Sequence, residues 1–96
     1  MKIAAVLAAS TLLCLANAFA AGAPPDVLRS KGCLNCHAVD AKRVGPAFKD
    51  IAAKYNDNQH ALEDLSAKLK SGKGHPKVSA SDEDVKSALT WVLGQK

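Results

Sequence analysis

Cys33-Leu34-Asn35-Cys36-His37 places two thiols three positions apart and an imidazole directly after the second. That spacing is the attachment signature of a c-type haem. Each thiol adds across one porphyrin vinyl group, and the histidine that follows is held under the iron as its proximal ligand. Two other chemistries use C-x-x-C. A redox dithiol needs a thioredoxin-like βαβ setting, and no strand pattern surrounds this one. A zinc site needs further ligands, and the third cysteine of the chain, Cys14, lies far away in an apolar N-terminal run. The pentapeptide therefore predicts one covalent haem c held by Cys33, Cys36 and His37.

The N-terminus has the form of an export signal. Lys2 is followed by a nearly unbroken apolar stretch from Ile3 to Leu15, and Ala18-Phe19-Ala20 is an A-x-A cleavage site. The apolar stretch is short for a membrane span, which leaves a retained anchor as the weaker reading. Leu13 stands where a lipoprotein signal requires a small residue, so Cys14 is not a lipidation site. The expected organisation is a signal peptide over residues 1–20 and one domain over 21–96, located in the periplasm without a membrane anchor after processing. Bacterial haem attachment takes place after export, so the two signals agree.

A domain this small buries little apolar surface and needs a staple. Cys33 and Cys36 are already committed, so no disulfide is available. Past Phe19 only Phe48, Tyr55 and Trp91 are aromatic. A haem at the centre would supply the missing core. Removing Lys2 from the 13 Lys and Arg leaves 12 against 9 Asp and Glu, a mildly basic balance with no block of like charge that would suit nucleic acid.

The elements that must position the motif read as helices, about four and all short. Pro25 or Asp26 opens one that runs towards Cys33. Gly32 before the motif suits either a helix end or the close approach of another helix. A second covers Pro46 to Tyr55, with Pro46 in its first turn. A third covers Asn58 to Ser71, where Leu62, Leu65 and Leu69 form one apolar stripe and Gly72 gives a stop. The last covers Ser81 to Leu93. Ser81 and Asp84 resemble a capping box, and Val85, Leu89 and Val92 make the buried face. No segment alternates with period two, so the fold is all-α.

Three blocks carry a resemblance to the small class I bacterial cytochromes c: Lys31 to Ala38 around the motif, Val44-Gly45-Pro46-Ala47-Phe48-Lys49-Asp50-Ile51-Ala52-Ala53-Lys54-Tyr55, and Ser79 to Gln95 with Trp91-Val92-Leu93. The resemblance implies the class I cytochrome c fold wrapped around one haem. It implies that the Pro46 carbonyl accepts a hydrogen bond from His37, and that Gly32 and Trp91 sit where the first and last helices cross. It also implies electron transfer to periplasmic redox proteins rather than catalysis, by a monomer that offers a haem edge. Lys42, Arg43, Lys73 and Lys77 are candidates for a basic rim on that edge.

The family's second axial ligand is usually a methionine in a loop before the last helix. The one methionine here is Met1. The corresponding loop is the short Gly72-Lys73-Gly74-His75-Pro76-Lys77-Val78. His75 is the expected sixth ligand, giving a His/His site at lower potential than His/Met. An open or water-bound iron, or ligation by His60, Lys73 or an external group, stays open at this point. An open iron would make the protein a binder of CO, NO or oxygen, and a third reading is a haem subunit of a larger oxidoreductase.

Overall fold

The computed structural model describes residues 22–96. The expected signal peptide and Cys14 lie outside these residues. Among those described there are five α-helices and no strand: α1 Val27–Ser30, α2 Cys33–Cys36, α3 Phe48–Lys54, α4 Ala61–Ser71 and α5 Asp82–Leu93.

The first expected helix is α1, and a further short helix, α2, follows it where none was expected. Gly32 adopts φ +77°, a left-handed conformation that breaks the chain direction between α1 and α2. A Cβ there would meet only the Asn35 side chain, at 3.3 Å. Gly32 is thus a turn residue, and the attachment motif sits on a helical turn of its own. Pro46 likewise falls outside its expected helix. Ala47 is the N-cap of α3 in extended conformation, which leaves the Pro46 carbonyl pointing away from the helix and available to a side chain. The third expected helix loses its first turn. Asn58 accepts from the His60 backbone N–H at 2.8 Å in a local turn, the competition that short amide side chains offer to helices. His60 becomes the exposed residue preceding Ala61.

The two longer helices end as their sequences dictate. Gly72 closes α4 at φ +74° and its N–H bonds back to Lys68 O at 3.1 Å. Ser81 caps α5 by accepting from the Asp84 N–H at 3.1 Å. Asp82, Glu83 and Asp84 in the first turn favour the positive end of the helix dipole.

α5 packs on α1, α3 and α4. It thereby joins two small apolar clusters. One gathers Leu28, Phe48, Ala88 and Val92, with Trp91 and Cys33 against them. The other gathers Leu65, Val85 and Leu89, with Leu62 and Leu69 against them. Ile51 packs against both. Among the described residues, four of the ten buried apolar ones are alanines, so the helices alone close only a thin core. The space they leave is the site.

Candidate functional site

The site is a cavity of about 580 Å³ between the two clusters, lined by residues of every helix and of both long loops. Leu28, Ile51, Leu65, Leu69, Val78, Leu89 and Val92 give it apolar walls, while Cys33, Cys36, His37 and His75 bring the reactive groups to it. A concave, mostly apolar chamber with a few placed polar groups is what a large flat cofactor requires.

Helix α2 presents the two thiols, both half-buried and unpaired. Burial pushes the Cys33 thiol above its ordinary value; a backbone hydrogen bond offsets part of this, and neighbouring Cys36 adds to the rise. At His37 the chain leaves the helix in extended conformation, which turns the imidazole back over the cavity. The following loop is folded under that ring. The Gly45 N–H bonds to Cys36 O at 2.7 Å, and a Cβ on Gly45 would lie 2.3 Å from His37 Cε1. No other residue type leaves room there. His37 Nδ1 donates to the Pro46 carbonyl at 2.7 Å. A carbonyl only accepts, so Nδ1 carries the proton and Nε2 keeps its lone pair for a metal. Phe48 flanks the ring at 5.2 Å between centroids and 20° between planes, and is itself met edge-on by Trp91 at 5.9 Å. Trp91 donates its indole N–H to Gly22 O at 2.7 Å. It therefore acts as packing, behind Phe48 and half-buried.

The opposite wall is the loop 72–78. His75 is half-buried there, and its Nδ1 donates to the Pro76 carbonyl at 2.7 Å. The His37 and His75 ring planes are parallel to within 5°, with centroids 6.0 Å apart. His60 is elsewhere, exposed, 3.8 Å from Glu63. Of the four basic residues expected to rim the site, Lys77 lines the cavity; Lys42, Arg43 and Lys73 do not. Lys31, Lys54 and Lys68 do, and sequence reasoning missed them because their places depend on how α1, α3 and α4 turn. Gly45 and Phe48 were also missed as site residues. The adjacency of Gly45 to Pro46 was visible, but the ring packed on Gly45 was not.

These residues fit a haem. Two thiols stand on one turn, a carbonyl-held imidazole has its Nε2 free, a glycine makes room for that ring, and apolar walls enclose the remainder. The fold and the site together define a small helical domain built around a covalently held haem. No family model matches the chain. Known proteins do. Cytochrome c-551 of Pseudomonas aeruginosa is 38% identical over 95% of this chain and 92% of its own. The crystal structure of Nitrosomonas europaea cytochrome c552 superposes with a TM-score of 0.64 at 39% identity, covering 74% of this chain and 98% of that one. The class 1 cytochrome MtoD of Sideroxydans lithotrophicus does so at 0.63 and 29% identity, over 73% and 89%. The chain belongs to the class I monohaem cytochromes c of the c-551/c-552 type, small electron-transfer proteins that carry one covalent haem c and are not enzymes. Among the described residues, no helix is long and apolar enough to cross a membrane.

Proposed function

We propose that this chain is a periplasmic electron carrier in which Cys33 and Cys36 bear the haem, Pro46 orients His37, and His37 and His75 are the two axial ligands. The observation that carries the ligand set is the ring pair. Two imidazole nitrogens each about 2 Å from one metal, plus about 1.1 Å from nitrogen to ring centre on each side, require centroids about 6.2 Å apart. The rings lie 6.0 Å apart and parallel. Distance and parallel planes suit a stacked aromatic pair as well; the hydrogen bonds add support to the ligand reading. Each Nδ1 is taken by a proline carbonyl, so each ring has Nε2 left for coordination.

The haem supplies the redox chemistry. The chain supplies position and environment. Imidazole in place of thioether removes the ligand that raises potential, which suits a low-potential carrier. Hydrogen-bonded Nδ1–H groups make both ligands more basic and act in the same direction. The rim supports docking by an acidic redox partner: Lys31, Lys54, Lys68 and Lys77 line the cavity against a single carboxylate, Asp50. Val44, 86% exposed at the same mouth, offers an apolar contact. Export through cleavage after Ala20 completes the reading.

His75→Ala holoprotein is the decisive variant. The native protein should be low-spin in both oxidation states, without the far-red sulfur-to-iron band, and slow to bind CO. His75→Ala should turn the iron high-spin and admit CO readily. A low-spin spectrum that survives His75→Ala overturns the ligand set. Electron transfer to an acidic partner should slow as salt rises, since exposed charges are screened within about 8 Å at physiological ionic strength. Intact-mass analysis of the exported protein should give residues 21–96 plus one haem.

A further inference from the structure

We infer that Pro76 is the positioning residue for the distal imidazole, its carbonyl holding His75 by Nδ1 so that loop 72–78 presents Nε2 to the cavity as a preformed ligand with its ring parallel to that of His37. This rests on the reading of His75 as a ligand and goes beyond it. A loop this short could offer a histidine loosely, as an arm that swings on and off the iron. The structure shows the opposite construction. The loop is tied at both ends, by Gly72 N–H to Lys68 O at 3.1 Å and by Val78 N–H to Leu69 O at 2.8 Å. Gly74 adopts φ +73°, and a Cβ there would come within 3.2 Å of the Lys68 side chain, so the backbone lies directly on that stem. Proline at 76 fixes its own φ and drives His75 away from helical conformations. Few torsions then separate the His75 ring from the carbonyl that binds it. The bond, 2.7 Å, repeats on the distal side what Pro46 does for His37 on the proximal side. Each ring is held by its own proline carbonyl, and the two planes lie 5° apart.

Parallel imidazole planes split the iron π orbitals and give a resolved rhombic ferric EPR signal; rotating one plane changes the g-values. The experiment compares wild-type, Pro76→Ala and Pro76→Gly holoproteins by ferric EPR and by equilibrium CO binding. Both variants should remain low-spin, with shifted or broadened g-values. Both variants keep a carbonyl at position 76 and lose only the ring that fixes its direction, so the apparent CO affinity should rise by up to about 10-fold, the low end of what a partner that orients a metal ligand contributes. Variants that match wild type in g-values and CO affinity overturn the role of Pro76. Should the variants fold poorly, the wild-type protein still decides: the hyperfine-shifted His75 Nδ1–H should exchange with water far more slowly than the His60 ring N–H, and equal rates overturn the proposal. A His75→Ala protein that opens while the Pro76 variants behave as wild type removes the positioning role alone. A His75→Ala protein that stays low-spin removes the ligand reading and this inference with it.

Discussion

The His37 imidazole occupies the space that a side chain at Gly45 would need, with the would-be Cβ 2.3 Å from Cε1 and 2.7 Å from both ring nitrogens. Imidazole and loop are therefore fitted to each other at a single atom. Gly45 is not in left-handed conformation, so its identity is set by space rather than by φ. Gly45→Ala must displace the ring or the loop. Overpacking of this kind costs about 1–3 kcal/mol, which in a domain of this size lowers Tm by about 5–20 °C. The haem should stay covalently attached while the absorption spectrum reports a disturbed proximal bond. An unchanged melt and spectrum would show that the ring has slack.

Leu28 is the most deeply buried side chain among the described residues, 1% exposed, and it both packs on Phe48 and Val92 and lines the cavity. Leu28→Ala should cost about 2–5 kcal/mol, read in a denaturant titration of the holoprotein. Since the bond to the thiols is covalent, the cost should appear as lost stability with no release of haem on acid–organic extraction.

Removal of the α5 cap should be felt as well. Ser81→Ala deletes the acceptor for the Asp84 N–H and should cost about 1 kcal/mol, or about 4–8 °C in Tm. Ser81→Asp should restore most of it.

The ion pair between Lys70 and Asp82 joins the end of α4 to the start of α5, across the base of the His75 loop. Asp82 is largely in water and Lys70 about half so, and such exposed pairs contribute less than about 1 kcal/mol. Lys70→Ala should therefore leave the EPR signal and CO affinity of the holoprotein unchanged and shift Tm by no more than a few degrees. A spectral change would mean that the pair, and not the loop's own hydrogen bonds, holds His75.

Trp91→Phe should keep the edge-on contact with Phe48 but lose the bond to Gly22 O, worth about 0.5–1.5 kcal/mol. Faster amide exchange confined to the residues before α1 is the expected result. The electron-transfer rate should be unaffected, as Trp91 lies behind Phe48.

Much of this molecule was legible in local sequence. The pentapeptide at 33–37 announced the cofactor, because covalent chemistry imposes a spacing. Ser81 with Asp84 marked a helix start, and Gly72 marked a helix end, because capping is settled within one turn. Gly-His-Pro at 74–76 drew attention to His75, which lies on the cavity wall. What stayed hidden depends on contacts between distant segments or on one backbone torsion. Gly32 read as a helix end or a point of close helix approach, and is a left-handed break. Pro46 read as a first helical residue and stands before the cap. The packing of a ring onto Gly45 and the basic residues around the cavity, Lys31, Lys54 and Lys68, follow from how the helices close. A one-dimensional pattern does not carry that information.

The two apolar clusters have a consequence for cooperativity. They share only Ile51 and the alternating turns of α5, and the cavity separates them. Without the prosthetic group little beyond Ile51 and α5 would couple the half that holds α2 to the half that holds α4 and the loop 72–78. Such units open at different free energies. Filling the cavity gives both a common surface and merges them into one unfolding unit. Haem insertion should therefore act on this chain as a folding step, with a single cooperative thermal transition in the holoprotein and a broad, weakly cooperative one in a haem-free Cys33→Ala, Cys36→Ala chain.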